Sequence, residues 1–288
     1  MTLRLPRLWV VGVMAWDTVL HVDSFPVPGG FTPKLRRLER AGGSAANVAQ
    51  AVATADLETG FVTVLGRDAV GAQLHQTLRT SELSHLHIRW VDGESNHSLV
   101  LVDREGDRTV IALAGDELDS IHVDEVPLDA GDIVIFVVWD TSFLPDLQRA
   151  IAAGCTTIVG LGALLDDRVR HADIAFGSHV DVPPGTHPSD HLNRFDRIVM
   201  TNGADGARQY SAEGVIHQPA YPAEVVDTTG AGDAFLAGYL ATYAHGLRGG
   251  EEALRNGARW ASVMVSMRAS VPPPWRTVSG LAGAEHSV

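Results

Sequence analysis

Short, almost wholly apolar runs recur along this chain with helical stretches between them, and that alternation limits the fold more than any other feature. Residues 8–13, 61–65, 133–138, 156–159 and 197–200 read as buried strands. Their near-continuous hydrophobicity requires cover on both faces, the condition of strands in a parallel sheet. From Ser44 onward, Ala45, Ala46, Val48, Ala49, Val52 and Ala53 put small apolar residues on a helix able to pack closely on that sheet. Residues 144–153 supply another helix, and alternating strand and helix implies a parallel sheet between helical layers. Residues 231–245 and 251–267 read as the last two long helices, the second halted by Pro272-Pro273-Pro274, and residues 279–288 as a frayed tail.

A second pattern does not belong in that sheet. Residues 18–23 and 35–40 alternate apolar with polar side chains around a Pro/Gly-rich loop, and residues 100–102 and 109–113 form a hairpin about Glu105-Gly106-Asp107. Half-exposed strands predict a small separate sheet or flap, contributed mainly by residues 18–41 and 98–113. No repeat or linker divides the chain, so residues 1–288 are expected as one domain.

Composition excludes several functions. A formal net charge of -13 argues against a nucleic-acid partner. Lys34 is the sole lysine and lies in no glycine-rich motif, which removes the lysine-dependent phosphate loop. Cys155 stands alone, so there is no disulfide framework, and it reads as a small buried residue. Arg4 and Arg7 before the apolar run 8–16 resemble a secretory leader, but Gly12 and Asp17 interrupt it and strand alternation resumes beyond. The expectation is a cytoplasmic protein with no membrane partner, since the apolar run 133–139 is far too short to cross a bilayer.

Two glycine turns carry the chemistry. In Val226-Asp227-Thr228-Thr229-Gly230-Ala231-Gly232-Asp233-Ala234-Phe235 a polar turn leads into an apolar helix. Unpaired N–H groups at a helix start, approached across glycine, suit a phosphate. Asp233 in the first turn is expected to stay ionised, stabilised by the helix dipole, and can accept the proton of a hydroxyl attacking a γ-phosphoryl group. Read alone, the same residues are more often a tight turn with an acidic helix start. Ala41-Gly42-Gly43-Ser44-Ala45-Ala46-Asn47 is the second turn, suited to a phosphate or a polyol; Asn47 both donates and accepts hydrogen bonds, as a sugar hydroxyl requires.

Gly42-Gly43 with Asn47, followed by Gly60, Gly66, Asp68 and Gly71, resembles the N-terminal signature of the ribokinase-like carbohydrate kinases, the PfkB family. Residues 227–233 resemble their C-terminal signature almost residue for residue. The resemblance extends from Val10 to about Trp275. It implies a three-layer α/β/α sandwich with a mostly parallel sheet and a small β-lid, ATP and Mg²⁺, and a sugar or sugar-like acceptor. By motif position, Asp233 is the base and Gly230, Ala231, Gly232 and Asp233 the anion hole. Asp17 binds substrate hydroxyls with Gly42, Gly43 and Asn47. Asn202, Gly203, Ala204, Asp205 and Gly206 fall on the family's nucleotide-binding loop, and Asp227 and Thr229 where many members bind a monovalent cation such as K⁺. The lid strands could also pair in a homodimer.

The chain departs from the family's pattern at two places, of which one is the strand end Gly160-Leu161-Gly162, without the polar residues often found there. Where members carry Asn-x-x-Glu, this sequence has Ser178-His179-Val180-Asp181, so Asp181 is left to hold a metal-bound water. That departure keeps a non-catalytic sugar- or nucleotide-binding protein as an alternative, beside a nucleoside kinase. The scarcity of basic residues in the motifs mildly disfavours a phosphorylated acceptor. His179, His187 and His191, and the pair His85 and His87, lack metal-ligand spacing with supporting carboxylates, and Trp16 is either pocket lining or core.

Overall fold

A computed structural model describes residues 5–114, 120–246 and 250–284. The chain begins β1 (Leu8–Val11), β2 (Ala15–Val22), β3 (Lys34–Gly42), α1 (Ser44–Ala53), β4 (Thr59–Gly66), α2 (Ala69–Arg79) and β5 (His85–Val91). It continues with β6 (His97–Val102), β7 (Arg108–Ala114), β8 (Ile133–Phe136), α3 (Leu144–Ala152), β9 (Thr156–Gly160) and β10 (Ala172–Ser178). Then follow β11 (Phe195–Thr201), β12 (Ala207–Ser211), β13 (Gly214–Gln218), α4 (Ala231–Ala244), α5 (Glu251–Val265) and α6 (Trp275–Ala284).

Nine strands form one sheet in the order β13-β12-β11-β10-β9-β8-β1-β4-β5. Pairing is parallel from β5 across to β11, and antiparallel where β12 and β13 close that edge. Side chains alternate across a strand, so each buried strand feeds two cores. Leu8, Val10, Phe61, Ile133 and Ile135 join α1, α4 and α5 on one face. Trp9, Val11, Val62, Val134 and Phe136 join α3 on the other. This is the three-layer α/β/α sandwich of the ribokinase-like fold.

The flap is a four-stranded sheet ordered β3-β2-β6-β7, with β2 and β6 parallel and the outer pairs antiparallel. Only three residues separate β1 from β2, so the flap grows directly from the C-terminal end of β1.

Several elements depart from the sequence reading. β5 alternates polar and apolar residues at the sheet edge, β10 is rich in small residues, and neither pattern marks a strand without its neighbours. The helix α2 and the hairpin β12–β13 were likewise not anticipated. The helical α6 extends through Ala284, into the stretch expected as a tail; residues 285–288 lie outside the described residues. Cys155 is buried, and burial pushes its thiol up to about 11, so it has no thiolate character. Among the described residues no helix is long and apolar enough to cross a membrane.

The starts of β1 and β8 are joined by a buried polar knot. Asp132 accepts from Arg7 Nη2 at 2.7 Å and Nε at 3.1 Å, from Trp9 Nε1 at 3.2 Å and from the Asp129 N–H at 3.0 Å. Removing the carboxylate leaves a buried guanidinium short of its partner. Asp132→Ala should therefore cost about 3 to 5 kcal/mol in urea unfolding; a loss under about 1 kcal/mol would mean that Asp129 and water replace it.

Candidate active site

A cleft of about 680 Å³ opens between the C-terminal ends of the sheet strands and the underside of the flap. Its walls include Ala15 just beyond β1, Val137, Val138 and Trp139 beyond β8, Phe176 to Ser178 ending β10, and Thr201 ending β11. Strand order reverses at β1, between β4 and β8, and in open α/β sheets ligands bind outside the strand ends at such a switch point.

The floor is the start of α4. Gly230 is its N-cap, with φ 76° in the left-handed region, and a Cβ there would lie 2.7 Å from the Ser270 carbonyl, so only glycine fits. At Gly232 a Cβ would meet nothing within 4 Å, leaving the helix end open to the cleft. The first helical bond is Ala234 N–H to Gly230 O at 2.8 Å, and the N–H groups of Gly232 and Asp233 have no acceptor among the described residues. Two free donors at the positive end of a 14-residue helix make a site for an anion.

Asp233 reaches from that turn to α1. Asn47 Nδ2 donates to Asp233 Oδ2 at 2.8 Å. Because a carboxylate only accepts, the amide nitrogen must face it, which leaves the buried Asn47 Oδ1 without a partner. An orphaned acceptor in a cleft wall is what a substrate hydroxyl would satisfy. The dipole argument predicts an ionised Asp233, but burial pushes its carboxyl up, and bonds from Asn47 and Ser44 with the charge of Arg108 pull it back only in part. A base raised from the usual carboxylate range is better matched to taking a proton near neutrality.

The flap supplies the opposite wall. Asp17 on β2 pairs in register with Arg40 on β3 and Ser98 on β6, and Ser98 Oγ donates to Asp17 Oδ1. Burial raises the Asp17 carboxyl, while the Ser98 bond and Arg40, His97 and Arg108 oppose the rise. A Cβ on Gly42 would fall 2.1 Å from Asp17 Oδ2, so glycine there makes room for this carboxylate. The sequence reading missed Arg40, Ser98 and Arg108. Their signal was faint, being only polar members of alternating strands.

Other expected residues are placed less centrally. Gly43, Thr229 and Asp181 line the cleft with Asp17, Asn47, Gly230, Gly232 and Asp233, whereas Gly42, Ala231 and Asp227 stand behind it. Asp181 accepts from the Ser178 N–H at 2.6 Å in a reciprocal capping turn. Asp227 accepts from the Thr229 N–H at 2.8 Å. Asn202, Gly203, Ala204, Asp205 and Gly206 make the exposed turn between β11 and β12, pinned by Asn202 Nδ2 to Asp205 at 2.8 Å, and do not line this cleft. Asp68 caps α2 and binds Ser95, so that signature residue holds structure. Trp16 packs on the core rather than lining the pocket. His171, Asp173 and Asp196 have ligand atoms within 4.8 Å of one another, but lie at the far ends of β10 and β11.

A family model described as pfkB family carbohydrate kinase matches residues 7–158 and 188–276. The chain is 30% identical over 254 residues to an ATP-dependent ribose-1-phosphate kinase of Halopiger xanaduensis, covering 82% of this chain and 84% of the relative. It is 28% identical over 288 residues to a nucleoside kinase of Methanothermobacter thermautotrophicus, covering 90% and 88%. The solved ribokinase of Thermotoga maritima superposes with a TM-score of 0.81 at 20% identity, over 97% of this chain and all of that one.

The raised Asp233 carboxyl has a consequence for stability. From about pH 4, the unfolded value, up to its folded value, the folded protein holds this proton and the unfolded chain does not, so stability falls as pH rises through that window. Asp233→Asn cannot ionise. It should unfold at a higher Tm than the native protein at pH 7.5, with the advantage shrinking toward pH 4; a lower Tm at pH 7.5 would show that the carboxylate is stabilising.

Proposed function

The chain belongs to the pfkB family of carbohydrate kinases, and on that premise we propose that Asp233 is the general base of an ATP-dependent transfer to a sugar hydroxyl. The observation that carries this reading is the convergence, in one cleft, of Asp233, the free N–H groups beside it and the unsatisfied Asn47 Oδ1.

Each group has a defined task. Asp17, Gly43 and Asn47 hold acceptor hydroxyls, with Gly42 giving Asp17 its room. Asp233 takes the proton of the attacking hydroxyl as its oxygen bonds to the γ-phosphorus and the bond to the β-phosphate oxygen breaks, releasing ADP. The anion hole of residues 230–233 offers N–H groups to the charge on the transferring oxygens without reorganisation. The flap excludes water that would otherwise hydrolyse ATP. The turn at Asn202, Gly203, Ala204, Asp205 and Gly206 lies outside the cleft but adjoins its wall residue Thr201, and would meet the part of the nucleotide that extends beyond the cleft.

One carboxylate on the cleft wall, Asp181, suits Mg²⁺ that arrives on ATP and keeps most of its water, better than a metal caged by protein. Mg²⁺ would neutralise charge on the phosphates, and Asp181 would hold one of its waters. For K⁺ near Asp227 and Thr229, the support is the polar turn they form and the Ser270 carbonyl close behind Gly230. For a homodimer, the support is the flap's two outer strands, where Leu35 on β3 and Ile111 and Leu113 on β7 are exposed. A nucleoside acceptor is the second reading, favoured by the similarity to a nucleoside kinase over 90% of this chain.

ATP consumption with Mg²⁺ and K⁺ across sugars, sugar acids, polyols and nucleosides tests the reading. Asp233→Asn should lower acceptor-dependent turnover by about two to four orders of magnitude, and undiminished turnover in that folded variant removes the base assignment. Gly232→Ala should keep or raise Tm, since alanine favours the helix, yet lower turnover about a hundredfold by filling the anion site. Normal turnover there would show that the phosphate lies elsewhere.

A further inference from the structure

The flap wall of the cleft carries two guanidinium groups that the reaction as described does not use. Arg40 extends from β3 and Arg108 from β7, and both line the cleft with Asp17 and Asp233. Neither makes a hydrogen bond or ion pair with any described residue, and Arg40 Nε is buried without a partner. The buried Arg7, by contrast, is paired with Asp132. A buried donor left unmade is costly unless a ligand satisfies it. The two guanidinium groups share the cleft with the carboxylates of Asp17, Asp181 and Asp233, and no carboxylate is within ion-pair distance of either among the described residues. The planar guanidinium fork matches phosphate and carboxylate oxygens, to which it binds bidentately.

We propose that the acceptor is an anionic sugar, carrying a phosphate or carboxylate group that Arg40 and Arg108 hold while its hydroxyls meet Asp17 and Asn47. The inference rests on the kinase reading of this cleft and names its substrate class. It revises the expectation drawn from the motifs, which contain neither arginine. The apolar positions Val100 and Val110 between these groups would flank the carbon skeleton.

Binding measured by calorimetry without ATP tests the idea independently of turnover. Ribose 5-phosphate or gluconate should bind at least about tenfold tighter than ribose, with the first against the second telling phosphate from carboxylate. In Arg40→Met and Arg108→Met that preference should fall about ten- to a hundredfold, the scale of a charge-assisted hydrogen bond. Arg108→Lys, with charge kept and fork lost, should fall in between, and thermal unfolding confirms that each variant is folded. Ribose binding as tightly as both anions would overturn the proposal. So would variants that weaken all three sugars equally, or that raise the KM for ATP whatever the acceptor, since the arginines would then serve the nucleotide. Arginine-dependent binding without phosphoryl transfer to any acceptor would keep this inference and sink the kinase; transfer to neutral sugars alone would do the reverse.

Discussion

The hydrogen bond from Asn47 Nδ2 to Asp233 Oδ2 joins the first turns of α1 and α4, two helix starts 186 residues apart in sequence. It orients a carboxylate beside unpaired N–H groups and leaves the buried Asn47 carbonyl oxygen without a partner among the described residues. The bond requires both helices on the same face of the sheet, and small side chains permit this. Ala45, Ala46, Ala49 and Ala51 let α1 lie close against the core that also buries Phe235, Leu236 and Tyr239 of α4.

Burial and charge pull in opposite directions in the cleft. Both Asp17 and Asp233 are raised by desolvation, and each is drawn back by hydrogen-bond donors and by Arg108. Folding therefore works against the ionised form of the very group proposed as base. A site of this kind stores free energy that a well-packed neutral core would not, which is the usual tension between stability and activity.

Ser178 and Asp181 gain a physical account once their turn is seen. Their reciprocal capping bonds complete a short turn at the end of β10, where the carboxylate accepts from the backbone and still lies on the cleft wall. The shorter side chain is thus committed partly to structure. In the proposed site, handling of Mg²⁺ would fall more heavily on ATP and water than where a free glutamate stands.

Much of the architecture was legible in the residues themselves. The apolar runs at 8–13, 61–65 and 133–138 announced a covered parallel sheet, the alternating ones a flap, and the two glycine turns their own helices. Those are local signals of periodicity and backbone freedom, so the chain states them directly. β5 and β10 did not declare themselves, because their strand character comes from the neighbours they pair with. Arg40, Ser98 and Arg108 were silent for a related reason. In sequence each is an ordinary polar residue on an alternating strand, and only the folding of the flap over the sheet ends sets them opposite Asp233. What the sequence determined by itself was the layered fold and the two glycine turns that open α1 and α4. Which charges line the cleft was decided by tertiary structure, since electrostatic neighbours are fixed by distance in space and not along the chain.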